Sequence, residues 1–362
     1  SSLSFAIELI PPSWGIFIRK VFSLSEGCSP LTVSSMSFWK SSSLSILWLC
    51  HSIVAQDDSS NGREVSASVN IGFEAIVNHY FEESARLSPI WATGMGDHRF
   101  DALIDDVSEK GRDGKHQLQG DLLKRIENLP KRDLSHEEQV DLAILHHHLN
   151  ASLWRHDTLQ EWAWNPLRYT GLAGNAIYSL MAREFAPLPE RLRSAASRLT
   201  QLPILLEQTR SALVPARVPR IHAETAIGQN RGVLNIIENT ILPHLNELNS
   251  KARQDLTQAI DIARQAVEQH QKWLENVLLP QANGNHRLGV TLYDQKLGQT
   301  LQPSLTRQQI KERGNQQIHT LRERMFEISR EIYQKRFPYT EFPKRPSQAY
   351  KRSIIRTCLE FA

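Results

Sequence analysis

Apolar side chains recur at every third or fourth position along most of the chain from about residue 67 onward. The pattern is clearest in 250–279, where the repeating residues are Leu256, Ile260, Ala263, Val267, His270, Leu274 and Val277. This spacing puts them on one face of an α-helix, because a helical turn takes 3.6 residues. Ser250 fits the N-cap of that helix, and Pro280 followed by Asn283-Gly284 fits its end.

A second stripe of the same kind occupies 305–336. Its members are Ile310, Ile318, Leu321, Met325, Ile328 and Ile332. Ser304 or Thr306 fits the start of this helix, and Pro338 lies just beyond its end.

The remaining helical segments show the periodicity less cleanly. In 189–214, Pro189 suits the first helical turn and Pro203 predicts a kink or a split. Weaker patterns occupy 68–87, 114–128, 135–156 and 221–247. No run of alternating residues with hairpin turns occurs. The sequence therefore predicts an all-α fold of long helices packed antiparallel through short loops.

Composition and charge narrow the class of protein. The 42 Lys and Arg residues are nearly balanced by 39 Asp and Glu, for a net charge of +3, and no basic block stands out. We therefore expect no nucleic-acid partner. A hydrophobic share of 40% is typical of a globular chain with a substantial core. The cysteines, Cys28, Cys50 and Cys358, fit neither a disulfide framework nor a thiolate zinc site.

The first 66 residues differ from the helical region. Residues 1–35 lack an initial Met and show no sustained periodicity, which favours a non-native upstream extension. Residues 36–55 are typical of a secretory signal peptide. Lys40 gives the charged start, Leu44 to Val54 is a short apolar run, and Ala55 fits the cleavage position. The alternative is a buried or amphipathic helix near the N-terminus.

This interpretation predicts how the chain is divided and where it works. Residues 56–66 form a flexible mature N-terminus, and 67–362 form one helical domain. The apolar run is shorter than the roughly 20 residues that a bilayer span needs, so we expect no stable membrane span after cleavage. The mature protein is expected to be exported to the periplasm or the extracellular space.

Three consecutive histidines, His146, His147 and His148, raise the question of a metal site. They lie within a predicted helix, where consecutive side chains point about 100° apart and cannot converge on one ion. A helical zinc pair needs histidines four residues apart, as in H-E-x-x-H, and the sequence contains no such motif. His136 instead follows Ser135, where Glu138 would complete a capping box. We expect no metal or other cofactor in this chain.

Two loops hold the residues best suited to a substrate cleft. In 93–106, Asp97, His98 and Arg99 follow two glycines that are expected to break the first helix. The alternative for this loop is structural, with Asp97 and Arg99 capping helices and pairing with each other. In 286–301, Arg287 and Tyr293 could face a substrate, although the leucines around them favour packing.

The order of four segments resembles a large bacterial family, domain-of-unknown-function family 885, over about residues 70–335. The segments are "HYFEESARLSPIWATGMGDHRFDALIDD", "WNPLRYTGLAGNAIYSLMAREFAPLPERLRSAASRLTQLPILLEQTRSAL", "IHAETAIGQNRGVLNIIENTI" and "RLGVTLYDQKLGQTLQPSLTRQQIKERGNQQIHTLRERMFEIS". Members are exported, all-helical and zincin-like metallopeptidases by prediction. In this family the zinc helix lies downstream of the "YDQKL" stretch, in a C-terminal half. The resemblance therefore implies that this chain corresponds to the N-terminal half of such a fold.

Two hypotheses about function follow from this resemblance. In the first, the chain is the non-catalytic N-terminal portion of an exported metallopeptidase-like hydrolase, inactive alone, and contributes one wall of a cleft for a peptide substrate. Zinc is then expected only in a full-length relative. In the second, the chain is a stand-alone helical binding or scaffold protein of the cell envelope. Either way, a truncated chain would expose helix faces in 305–336 and 346–361 that favour self-association.

Overall fold

The computed structural model describes residues 67–130, 134–301 and 305–361. The expected upstream extension (1–35), signal peptide (36–55) and flexible terminus (56–66) lie outside the described residues. Within the described ranges the regular elements are helices and no strand occurs, which confirms the all-α prediction. These ranges contain no helix with the length and apolar character needed to cross a membrane.

The chain divides into two compact units, the first ending at Arg287 and the second covering Leu288–Ala362. The helices of the first unit are α1 (Ala67–Leu87), α2 (Pro89–Met95), α3 (Glu109–Glu127), α4 (His136–Trp154), α5 (Glu161–Trp164), α6 (Leu167–Met181), α7 (Leu188–Ala212), α8 (Arg220–Thr240), α9 (Ser250–Trp273) and α10 (Leu279–Gln281). Those of the second unit are α11 (Val290–Thr300), α12 (Arg307–Arg336) and α13 (Gln348–Phe361).

Shorter helical turns connect several of these elements. The 3-10 turns are His98–Phe100, Pro215–Arg217 and Leu242–Glu247. Wide π-helical turns extend two of the helices: Arg155–Leu159 follows α4, and Leu274–Leu278 follows α9.

Side-chain caps fix where the helices begin. Ser135 and Glu138 form the predicted capping box at the start of α4. Thr306, one of the two predicted candidates, forms a second capping box with Gln309 at the start of α12. The prediction for α9 is off by one residue, because Asn249 rather than Ser250 accepts the capping hydrogen bond from the Ala252 amide.

The break after α1 lies earlier than the two glycines suggested. α1 ends at Leu87, and α2 starts at Pro89, which disfavours helical backbone at the residue before it. Gly96 ends α2 with a left-handed φ of 91°, which glycine adopts without strain. Of the two alternatives predicted at Pro203, the split is wrong, since α7 continues through it from Leu188 to Ala212, and the kink stays a prediction.

Two buried clusters form the core of the first unit. One joins α1, α3 and α4 through residues such as Phe73, Ile126 and Leu145. The larger one joins α6, α7, α8 and α9. Five residues of the stripe predicted in 250–279 belong to this second cluster, His270 is buried as well, and Val277 is exposed. The helical periodicity therefore identified the buried face of α9 correctly.

The second unit buries a different face of its long helix from the one expected. Its small core contains Phe326 of α12 with Ile354 and Ile355 of α13. The stripe read from the sequence is instead exposed, with side chains between 37% and 60% accessible: Ile310, Ile318, Leu321, Met325, Ile328 and Ile332. Leu359 and Phe361 of α13 are exposed as well. α12 therefore presents an apolar face that no other described element covers.

Arg198 of α7 is completely buried, and its hydrogen bonds connect α7 to α2, to the loop after α2 and to α6. Its guanidinium donates to the Leu103 carbonyl at 2.8 Å, the Ala176 carbonyl at 2.9 Å and the Thr93 hydroxyl at 2.7 Å. Longer bonds reach the Ser179 hydroxyl and the Pro89 carbonyl, both at 3.3 Å. Burial lowers the pKa of Arg198 to about 10, although the nearby carboxylates Asp101 and Asp105 oppose that shift.

Replacing Arg198 should destabilise the first unit strongly. Arg198→Met removes all of these bonds, leaves buried carbonyls without their donor and takes away the cation near Asp101 and Asp105, so we expect a loss of about 3–5 kcal/mol in the free energy of unfolding. Denaturant titration of the chain measures it. Arg193→Met, an exposed position on the same helix, should stay within about 0.5 kcal/mol and serves as the control. Equal effects at both positions would contradict the role assigned to Arg198.

His270 of α9 is a second buried titratable group. Only 1% of it is exposed, its ring stacks 5.6 Å from Trp273, and its Nδ1 has no hydrogen-bond partner. Burial, with a smaller contribution from the charge of Arg210, lowers the pKa of His270 to about 4. The folded protein therefore keeps this imidazole neutral at pH values where the unfolded chain protonates it.

This difference makes folding sensitive to acid. Above the unfolded pKa of about 6.5 both states are neutral and His270 adds no pH dependence. Below it the unfolded state gains the proton first, so the wild type should lose about 2 kcal/mol by pH 5 relative to His270→Leu. Denaturant titrations at pH 7 and pH 5 measure this difference, with His79→Leu, an exposed α1 position, as the control. A gap between wild type and His270→Leu that does not change with pH would refute it.

Candidate functional site

A cavity of about 430 Å³ lies between α1, α2 and the 3-10 turn that follows. Its wall is largely apolar and includes Phe81, Ala85, Trp91 and Met95. Trp91 is 38% exposed, which is unusual for so large an apolar side chain. The volume falls within the range of small-molecule sites, in which apolar walls carry a few polar groups.

The polar side of this cavity is an ion cluster centred on Arg99. The Arg99 guanidinium donates to Asp97 from Nε at 2.9 Å and from Nη2 at 2.7 Å, and to Glu82 of α1 from Nη1 at 2.9 Å. The bidentate bond from Arg99 lowers the pKa of Asp97, and both carboxylates raise the pKa of Arg99. Asp97 and Arg99 are therefore both charged at neutral pH.

The structure also gives Asp97 a local role. Its carboxylate accepts a hydrogen bond from the Arg99 amide at 3.2 Å and so caps the turn His98–Phe100. This confirms that Asp97 caps a helix and pairs with Arg99. The same two residues line the cavity, so the structural role does not remove them from a binding surface.

His98 points to a different neighbour. Its ring stacks on Phe185 with 3.6 Å between centroids, and its Nδ1 lies 3.0 Å from the Asp101 carboxylate. Asp101 in turn accepts from the Thr93 hydroxyl at 2.5 Å, next to Arg198. The three candidates of this loop are thus split between the cavity and the Arg198 network.

The other two candidates lie further along the chain. Arg287 is the last residue of the first unit, and its amide donates to the Asn285 side chain at 2.9 Å. Tyr293 belongs to α11 of the second unit and is 49% exposed. A role for either of them in a cleft stays a prediction.

The consecutive histidines of α4 contact separate partners, as their helical spacing predicts. His146 Nε2 lies 3.8 Å from the Glu127 carboxylate of α3, whereas His148 Nε2 lies 3.1 Å from the Tyr80 hydroxyl of α1. The histidine rings that lie close to each other, those of His116 and His156, belong to other parts of the chain.

A different group of three could hold a metal ion: His116 of α3 with His156 and Asp157 of the π-helical turn after α4. His116 Nε2 and His156 Nδ1 each lie 3.0 Å from the Asp157 carboxylate. Burial works in the opposite direction, yet the hydrogen bonds from His156 and His116 lower the pKa of Asp157. Forty residues separate the two histidines, so no spacing rule could have brought them together from the sequence.

Most of the chain matches a known protein family. Residues 89–355 match the model of a family described as bacterial protein of unknown function (DUF885). The chain belongs to this family. The match begins at Pro89, the first residue of α2, and includes the ion cluster of Asp97 and Arg99, but the α1 side of the cavity precedes it. No curated protein matches the chain.

Among solved structures, the chain is similar to a candidate lipoprotein of unknown function from Shewanella oneidensis. The two share 24% sequence identity with a TM-score of 0.67, over 80% of this chain and 52% of the relative. At that identity the likeness shows a shared fold. The chain spans about half the length of this relative.

Substitutions at the ion cluster distinguish the contribution of helix capping to stability from the contribution of charge pairing. Asp97→Ala removes both and should cost about 1–2 kcal/mol of stability, whereas Asp97→Asn keeps a side-chain cap and should cost less. Glu82→Gln removes only a half-exposed partner of Arg99 and should cost less than about 0.5 kcal/mol. Denaturant titrations of the three variants give this order. An equal loss in Asp97→Asn and Asp97→Ala would show that the charge, not the cap, dominates.

Proposed function

We propose that this chain is the substrate-binding, non-catalytic helical portion of an exported peptidase-like hydrolase, and that its cavity holds an apolar side chain of a peptide. The cavity lined by Phe81 and Trp91 carries the proposal, since it offers an apolar wall beside fixed charges. A peptide combines the two features that such a site recognises, an apolar side chain and a polar backbone.

The charge arrangement favours a neutral side chain over an acidic one. Arg99 directs its donors at Asp97 and Glu82 and so has little capacity left for an anionic ligand. Glu82 is 54% exposed at the side chain and can accept a hydrogen bond from a peptide amide or an N-terminal ammonium group. An acidic ligand would meet two carboxylates at the rim.

We assign the hydrolysis of the peptide bond to a C-terminal half of the enzyme. The resemblance to zincin-like members implies that an H-E-x-x-H helix in a C-terminal half supplies the zinc ligands and the general base. The Shewanella relative is about twice as long as the region shared with this chain, which is consistent with such a division. Its description as a candidate lipoprotein supports export to the cell envelope.

The exposed face of α12 favours a second candidate, a helical binding or scaffold protein of the envelope. Leu321 is 60% and Ile318 48% exposed on this face, and contiguous apolar surface is typical of a docking site. Under the first proposal this face packs against the zinc-binding portion of the hydrolase. Under the second it binds another envelope protein or another copy of the chain.

Peptide binding tests the first candidate directly. Titration calorimetry should show that a tripeptide with a central phenylalanine binds and that one with a central aspartate does not, because the cavity wall is apolar and its rim is acidic. Trp91→Ala should weaken the phenylalanine peptide at least tenfold, a loss of about 1.4 kcal/mol or more. Ile221→Ala, another exposed apolar position, should leave it unchanged. The chain is expected to leave the peptide intact.

Two outcomes would count against this function. Equal affinity for the phenylalanine and aspartate peptides would show that the cavity does not select its ligand. No peptide binding, together with self-association that depends on Leu321, would favour the scaffold protein instead.

A further inference from the structure

None of His116, His156 and Asp157 lines the Trp91 cavity, and the proposed function does not use this cluster. We propose that these three residues bind one divalent transition-metal ion, of which zinc is the best match. Two imidazoles and one carboxylate are the donor set found at open zinc sites, where water completes the coordination.

The distances between the ligand atoms fit this coordination. Zinc bonds to nitrogen and oxygen of about 2.0–2.1 Å place the ligands of a tetrahedron about 3.3 Å apart. One oxygen of Asp157 lies 3.0 Å from His116 Nε2 and 3.0 Å from His156 Nδ1. The three donor atoms all lie within 4.8 Å of one another. Binding therefore needs small side-chain rotations and no movement of the helices.

The backbone around the cluster is unusual in two ways. His156 and Asp157 lie in a π-helical turn, a rare conformation that occurs frequently at functional sites. Gln160, which ends the turn, has a left-handed φ of 48°, uncommon for a residue other than glycine. Both side chains approach His116 of α3: the ring of His156 lies 4.6 Å from that of His116 between centroids, and the Asp157 carboxylate lies 3.0 Å from His116 Nε2.

Neighbouring side chains hold this turn in place. Trp162 Nε1 donates to the His156 carbonyl at 3.2 Å, and its ring lies 4.4 Å from the Arg112 guanidinium of α3. Arg112, one turn before His116, also donates to the Val107 carbonyl at 2.8 Å. The Arg112 guanidinium is thus held by an aromatic ring and a backbone carbonyl.

The donor groups are accessible to ions from solution. The side chains of His116 and His156 are 37% and 27% exposed, and that of Asp157 is 56% exposed. An open position for water or an added ligand is therefore expected. Because the ligands come from α3 and from the turn after α4, a bound ion would also clamp these two elements together.

Zinc titration of the tag-free, EDTA-treated chain tests the proposal. Calorimetry should show one zinc ion per chain, and zinc should raise the melting temperature, since an ion that binds the folded state stabilises it. His116→Ala and Asp157→Ala should each weaken zinc binding at least tenfold and abolish the thermal shift. His146→Ala serves as the matched control, since His146 faces the single carboxylate of Glu127.

Melting curves without zinc establish that each variant folds, and His116→Gln and Asp157→Asn replace any alanine variant that does not. The proposal is overturned if the wild-type chain takes up no zinc, because the three residues then form a hydrogen-bonded cluster and not a metal site. It is also overturned if the cluster variants bind zinc as tightly as His146→Ala does.

Discussion

The buried guanidinium of Arg198 is the interaction on which the first unit depends most. A charge removed from water is tolerated only where its donors are satisfied, and this one reaches α2, α6 and the loop that follows α2. Arg198 is thus a stringent constraint on geometry, because its planar fork bonds well in only one arrangement.

That constraint extends to the candidate site. α2 carries Trp91, and the turn after it carries Asp97 and Arg99, so the wall and the rim of the cavity are both positioned next to groups that Arg198 holds. Thr93 belongs to the same short helix and bonds to Arg198 directly. A seven-residue helix such as α2 has little intrinsic stability. Its order, and hence the shape of the cavity, depends on tertiary bonds of this kind.

Much of the fold and the Asp97–Arg99 side of the cavity could be predicted from local rules, whereas the cluster of His116, His156 and Asp157 could not. The stripe of α9 and the capping box of Ser135 with Glu138 follow from periodicity and from the chemistry of helix starts, and both are confirmed. The stripe of α12 has the same periodicity but is exposed, because amphipathicity predicts that a face will be covered and not by which partner. The meeting of His116 with His156 depends on how α3 and α4 pack, and no short-range pattern encodes it.

Burial separates acidic groups that serve the fold from those that remain available to a ligand. Asp101 and Asp105 are nearly inaccessible, and each is bonded to neighbouring donors of the first unit. Replacing Asp101 or Asp105 is therefore expected to lower the stability of the first unit. The Asp157 side chain is 56% exposed, and its partners are imidazoles, whose ring nitrogens can exchange a hydrogen bond for a metal bond. The same side chain type therefore supports the structure in one loop and offers a binding site in another.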